Sequence, residues 1–544
     1  MVKTLYDCCL QCVANNLRTL NRPGSYLTRT QKEVLLERMC WYELFTIENL
    51  RAISYNLLSD ELNRIHMSYS EQVNDELLKL LSSCKCSPKW LTIHKCKAVT
   101  SKGLVHINGI LSQVETLQLR KLPGLIDSVM VCFNVGELLT HLDLRECEAV
   151  TDVGLMALLK RCPNISILNV AYLSQLTNKS LQTAASCLGK NLLELDAAKV
   201  YHITNVATEA IADNCPNLTM ANFDGCLKLD GLGICKMARQ CNLKVLQISF
   251  CYGIKSQALG QILQSDRLQE NLVELELFGA TFDPSVATHL EMFSSLSELS
   301  LCGVVHLTNV MAMNIFKAIG HQLSKVDLSN CAQLTNDVWG VLVKCCTSLE
   351  TLCMKAIPDL SSPKLAALFT DKKRASLFRC IVFSACKNLP VEVIDAIVTN
   401  CHNLETLMLA ACKEVDDTVV LSIAKHCPKL KRLSLRGCRV TDSSVCEVAI
   451  HCHDLLLLAL AGLHKLTDKC VIALAGNCPY LEELYISGCS MITSAATRYL
   501  QDCSVRKIFI HHVTPNVPPN AIMAKDLDTG EYTRMDNSNY TTCV

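Results

Sequence analysis

Hydrophobic residues along this chain fall into one recurring pattern from about Trp90 to Val513. A short apolar-x-apolar segment, such as Leu142-Asp143-Leu144, alternates like a strand with one buried face. Three positions on comes a Cys or aliphatic residue, here Cys147, and then an apolar-Thr-Asp/Asn step, here Val150-Thr151-Asp152. Leu155, Leu158, Leu159 and Cys162 follow at helical spacing, and Pro163 stops the helix they predict. About seventeen copies run through the chain with a period of about 26 residues.

That period lies in the window of leucine-rich repeats. The expected fold is an α/β leucine-rich-repeat solenoid over residues 81–513, a horseshoe in which each unit needs neighbours on both sides. The position after the strand is Cys in Cys96, Cys226, Cys251, Cys331, Cys386, Cys412, Cys438 and Cys489. Leu173, Val304, Ile357 and Leu463 replace it elsewhere, so the slot asks for a small hydrophobe. In Leu176-Thr177-Asn178 or Leu466-Thr467-Asp468 the Asp/Asn reads as the helix N-cap.

Residues 1–80 lack Leu-x-Leu and read as an all-α module. A first helix over about Thr4 to Leu17 carries Leu5, Cys9, Cys12 and Val13 on one stripe. A second starts near Thr30, where Thr30-Gln31-Lys32-Glu33 fits a capping box, and a third follows Thr46. Such helices serve as a plain cap on the first repeat or as a binding module. Residues 514–544, opening with Thr514-Pro515-Asn516, read as a flexible tail.

Composition narrows the function. Of 544 residues, 34 are Cys, and most recur at equivalent repeat positions, so they read as packing thiols of a reducing compartment, cytoplasm or nucleus. The first residues include Lys3, Asp7 and Arg18, so no signal peptide is expected, and no apolar run reaches a membrane span. With 52 basic and 52 acidic side chains there is no surplus for nucleic-acid binding, and neither nucleic acid nor membrane is expected as a partner. The basic run Lys372-Lys373-Arg374 reads as a solvated repeat edge. No phosphate loop, nucleophile elbow or His-Glu-x-x-His helix is present, so no enzyme and no cofactor is expected. Cys84, Cys86, His94 and Cys96 cluster in sequence but lack a zinc spacing, and no metal is expected there.

Thr4-Leu5-Tyr6-Asp7-Cys8-Cys9-Leu10-Gln11-Cys12-Val13 matches the BC-box pattern: a small residue, Leu, three positions, Cys, three positions, an aliphatic residue. The layout resembles the cysteine-containing leucine-rich-repeat family, including the AMN-type proteins and the BC-box substrate receptors of the ZYG-11 and ZER-1 kind. The resemblance implies a non-catalytic receptor subunit of a cullin-RING ubiquitin ligase, joined through elongin B/C. Thr4, Leu5, Cys9 and Val13 would then form the elongin C contact, a helix laid into a groove. Those families place a Leu-Pro before the second helix, whereas this chain has Tyr26-Leu27-Thr28-Arg29, a departure that weakens a direct cullin contact. An F-box-type adaptor and a protein-interaction scaffold outside ubiquitin chemistry remain open as alternatives.

The protein substrate is expected on the concave strand face. Asp143, Arg145, Glu276, Phe278, Lys355, Arg436, Tyr485 and Phe509 project from the strands, acids prevailing early and basic or aromatic residues later. Thr542 and Val544 at the carboxyl end fit the pattern that PDZ domains capture.

Overall fold

The computed structural model describes residues 5–20, 23–84, 86–504, 508–511, 523–525 and 532–534. They divide into two compact units, with the boundary after Asn403.

The first unit opens with helices α1 (Leu5–Asn15), α2 (Arg29–Trp41) and α3 (Ile47–Asn56). Thirteen strands follow: β1 (Arg64–Ser68), β2 (Trp90–His94), β3 (Thr116–Arg120), β4 (His141–Asp143), β5 (Ile167–Asn169), β6 (Glu194–Asp196), β7 (Met220–Asn222), β8 (Val245–Gln247), β9 (Glu274–Glu276), β10 (Glu298–Ser300), β11 (Lys325–Asp327), β12 (Thr351–Cys353) and β13 (Cys380–Val382). Each pairs in parallel with the next, so that Leu117, Leu142, Leu168 and Leu195 stand in one register and are all buried. A helix or short 3-10 turn returns the chain between strands, as parallel pairing requires.

The ladder starts one unit earlier than expected. Residues 64–68 fall inside the stretch read as all-helical, yet β1 pairs with β2 over five residues, and helix α4 (Asp75–Ser83) completes that repeat. Ile65-His66-Met67 supplies the two buried strand positions without any leucine, which is why a Leu-x-Leu pattern passes over it. The capping box of α2 also moves: Thr28 is the N-cap, its hydroxyl accepting from Gln31 N while Gln31 Oε1 accepts from Thr28 N.

In the second unit β14 (Thr406–Met408), β15 (Arg432–Ser434), β16 (Leu457–Ala459), β17 (Glu483–Tyr485) and β18 (Phe509–His511) form the same parallel ladder. Within the stretch expected to be a flexible tail, β19 (Met523–Lys525) and β20 (Tyr532–Arg534) pair antiparallel.

Two side-chain ladders tie successive repeats. In the buried slot the thiol points back at the carbonyl of the second buried strand residue one repeat earlier. Cys147 Sγ lies 3.1 Å from Leu119 O, Cys331 Sγ 3.1 Å from Leu301 O, and Cys489 Sγ 3.2 Å from Leu460 O. Burial pushes the Cys147 and Cys331 thiols up to about 12, so they keep their protons and donate. The slot therefore takes more than a small hydrophobe: it accepts one that is also a weak donor.

The second ladder corrects the helix caps. The N-cap is Thr, not the Asp or Asn after it: Thr151 accepts from Val153 N and Thr177 from Lys179 N. The Asp or Asn in the first turn reaches into the next repeat instead. Asp152 accepts from Thr177 N at 2.9 Å and Thr177 Oγ1 at 2.6 Å, and also from Ser180 Oγ. Asp417 and Asp442 do the same for Thr441 and Thr467, and Asn178 does it for Thr204 with an amide.

Asp152→Ala strands an N–H and two hydroxyls, and should cost about 2 kcal/mol by chemical denaturation. Asp152→Asn should cost less than about 1 kcal/mol, because Asn178 already performs this role. Equal midpoints for Asp152→Ala and wild type would remove the ladder's energetic meaning.

Candidate protein-binding surfaces

The first surface is α1. The helix turns Leu10 and Ala14 inward, four apart, and both are buried, as is Leu17 in the turn just beyond its end. Cys9 and Cys12 stand exposed and Val13 is half-buried. The stripe read from the sequence therefore lies roughly a third of a turn round from the packed one. Thr4 and the side chain of Leu5 lie outside the described residues.

Capping of the ladder falls to α2. Its Glu33 Oε1 accepts from Asn63 N at 2.8 Å and Arg64 N at 3.0 Å, at the entrance to β1. Its Cys40 Sγ meets both Ser68 O at 3.3 Å and Ser68 N at 3.2 Å, at the exit. Glu43 continues the cover by accepting from Ser70 Oγ and Gln72 N. An open sheet edge is thereby sealed by side chains.

The second surface is the strand face of the first unit. Asp143 is no partner contact: its side chain is 1% exposed, and Arg120 and Arg145 reach its Oδ2 at 2.6 and 3.0 Å. Arg145 is half-buried and engaged in that triad. Glu276 is half-buried and shares Lys325 Nζ with Glu298, at 3.7 and 3.5 Å. Burial opposes the Lys325 charge, yet Glu276, Glu298 and Glu274 raise its pKa overall. Phe278 stacks on Phe250 with ring centroids 4.2 Å apart, and Lys355 is exposed.

Sequence reasoning missed Phe250 because it lies beyond the strand, just before the buried slot. That position is left-handed in repeat after repeat, as at Tyr69, Lys95, Glu146, Tyr172 and Phe250. The turn delivers its N–H to the next repeat, Phe250 N to Phe278 O and Tyr172 N to Ala198 O. Such side chains line the strand exits, and Lys199 Nζ sits 4.6 Å over the Tyr172 ring.

The charge order also differs from expectation. Arg64, Arg120 and Arg145 come first, on and beside β1 to β4, and Arg64 lies 4.9 Å over the Trp90 ring. Acids then gather on and beside β6 to β11: Glu194, Asp196, Asp224, Glu274, Glu276, Glu298 and Asp327. Burial, helped by Asp196, pushes Asp224 up to about 7.

In the second unit Arg436 is exposed, while Tyr485 and Phe509 are half-buried. Tyr485 donates to Glu483 Oε2 at 2.7 Å and stacks on His511 at 4.2 Å. Thr542 and Val544 lie outside the described residues. Cys84 Sγ sits 3.2 Å from Ser54 Oγ, and Cys86 and Cys96 are buried. No helix among the described residues is long and apolar enough to cross a membrane.

His94 gives this face a pH signature. Burial, then Arg120 and Lys95, push its pKa down to about 3 from 6.5, so the folded protein holds it neutral. Between those values the unfolded chain binds a proton that the folded chain refuses, so stability falls as pH falls. His94→Gln should flatten the dependence between pH 6.5 and 4, measured as the shift in denaturation midpoint; an unchanged slope would assign it to other groups.

A leucine-rich-repeat model, "Leucine Rich repeat", matches residues 137–159 and 426–445. The first match holds β4 and its returning helix, the second holds β15. The DNA repair protein rhp7 of Schizosaccharomyces pombe (strain 972 / ATCC 24843) is 22% identical over 298 residues, half of this chain and 44% of that protein. The chain thus spans less than half the length of that curated relative. A yeast Rad7–Elc1 complex structure is similar at TM-score 0.42 and 16% identity, covering 68% of this chain and 91% of that one. An internalin from Listeria monocytogenes is similar at TM-score 0.29 and 12% identity over 80% and 93% of the two chains. A TLR13–ssRNA13 complex gives 0.36 and 14% over 78% and 57%. With its in-register parallel strands and the cysteine slot behind them, the chain has a leucine-rich-repeat fold.

Proposed function

We propose that this chain is a non-catalytic substrate receptor of a cullin-RING ubiquitin ligase in the cytoplasm or nucleus. Helix α1 binds elongin C, elongin B and the cullin follow from that contact, and the strand face holds the protein substrate. The observation that carries the reading is the division of labour in the N-terminal module. Glu33 and Cys40 of α2 already meet the first strand's open groups, so α1 is not needed to seal the edge. It packs by Leu10 and Ala14 and leaves Cys9 and Cys12 in solvent. A helix in a groove needs such a face, with Leu5 as anchor, Cys9 permitting close approach and Val13 trailing.

Purified elongin B/C should be captured by the full chain and not by Leu5→Ala/Cys9→Ala, a loss of at least about tenfold in affinity for a truncated anchor. That variant should keep the wild-type denaturation midpoint, whereas Leu10→Ala, on the packed side, should lower the unfolding free energy by about 2 kcal/mol. Wild-type protein that leaves elongin B/C in solution ends the ligase reading and leaves a scaffold. A double mutant that loses both binding and stability would return α1 to a cap.

A further inference from the structure

Three aromatic rings form a ridge across neighbouring repeats of the first unit. Phe250 is 37% and Tyr252 56% exposed, and the half-buried Phe278 ring lies 4.2 Å and the Tyr252 ring 6.4 Å from that of Phe250. Glycines make room for the rings: a Cβ on Gly303 would meet Phe278 Cζ at 3.4 Å, and one on Gly279 would meet Tyr252 Cε1 at 3.3 Å. Gly225, Gly279 and Gly303 hold the left-handed turn in the flanking repeats, while Phe250 holds it with a bulky side chain at φ 58°. Tyr69 and Tyr172 hold the same turn with bulky side chains, so the conformation belongs to the repeat and the rings are what this stretch adds.

The ridge borders carboxylates. Glu274 and Glu276 lie on one face of β9, about 7 Å apart, Phe278 follows in the turn two residues beyond Glu276, and Glu298 stands beside Glu274 in register. The chain as a whole is neutral, so this acidity is local. Lys325 shows what these carboxylates accept, since its ammonium sits between Glu276 and Glu298. The cavity by Tyr252, about 80 Å³, is too small for a bound metabolite. Acidic surroundings repel phosphate, which disfavours nucleic acid.

We propose that the Phe250–Phe278 ridge with Glu274, Glu276 and Glu298 is the docking site for an arginine-rich segment of a partner protein. Guanidinium planes stack on the exposed Phe250 and Tyr252 rings while neighbouring arginines of the segment meet the carboxylates. Charge complementarity commits the site to this occupant, and the flat aromatic faces favour Arg over Lys. The inference rests on the receptor reading's assignment of the strand face to substrate, and it names the substrate's chemical class.

Fluorescence anisotropy on the full chain tests it, using labelled short peptides that alternate Gly with Arg, Lys or Glu. The Arg peptide should bind saturably, the Lys peptide several-fold more weakly and the Glu peptide not at all, with affinity falling as salt rises. Glu274→Gln/Glu276→Gln should weaken Arg binding at least tenfold, and Phe250→Ala/Phe278→Ala about fivefold. Lys325→Met should strengthen it, because the internal competitor is gone; a merely structural role predicts no gain. The glutamine variants are isosteric, so a matched denaturation midpoint certifies the fold. No saturable Arg binding, equal Arg and Glu binding, tighter binding of a labelled oligothymidylate, or Arg binding indifferent to the carboxylate and phenylalanine variants would overturn the proposal. Elongin B/C capture is measured on the same samples. Capture without Arg binding overturns this inference alone, and Arg binding without capture overturns the ligase reading alone.

Discussion

The fold depends on how each strand disposes of its backbone at the exit. Where the chain leaves the ladder it must turn, and the N–H and C=O groups there would be lost to solvent or stranded in the core. One left-handed residue solves half of this by handing its N–H to the next repeat, as Glu146 N does to Ala171 O. The thiol that follows solves the other half by turning back to a carbonyl of the previous repeat, as Cys147 does to Leu119. Copies with Cys in the slot are thus bonded forward and backward through two adjacent residues. Repeat-protein stability lies largely in interfaces between neighbours, and here those interfaces have named atoms.

The same constraint explains what the sequence made legible. Strand and helix positions are written in leucines and in apolar spacing, so the ladder from Trp90 onward could be read directly. The first strand could not, because Ile65 and Met67 bury as well as leucine but do not spell the pattern. The cysteine slot was visible as a position, whereas its hydrogen bond was not: aliphatic residues fill the same space, and only geometry shows a carbonyl 3.1 Å away. Asp and Asn after Thr looked like caps because both residue types cap helices well. Their span to the next repeat is a contact 25 or so residues distant, which no local pattern encodes.

Candidate surface residues were legible only as far as alternation carries. It assigned Asp143 and Glu276 to the strand face but could not say that Arg120 and Arg145 would close over one and leave the other in a half-open ion pair. Burial of a charge is decided by neighbours one repeat away. Phe250 escaped for a different reason: strand alternation ends before it, and its exposure is created by the turn. The BC-box match rests on residues 4–13, and the side chain of Leu5 in it lies outside the described residues.

These points together separate the residues that hold the array from those left to meet a partner. A thiol, a Thr–Asp pair or an Arg–Asp–Arg triad satisfies itself within the array, and a partner gains little by touching groups that already have hydrogen bonds. Residues with something to offer are those the array cannot satisfy: an aromatic ring face, a carboxylate held in a crowd of like charge, an exposed stripe on a helix already packed by its other side. Phe250 and Cys9 belong to this second set, and both are exposed. A repeat scaffold that closes its hydrogen bonds between neighbours can vary these positions without disturbing its fold, and that freedom lets one architecture carry unrelated recognition surfaces.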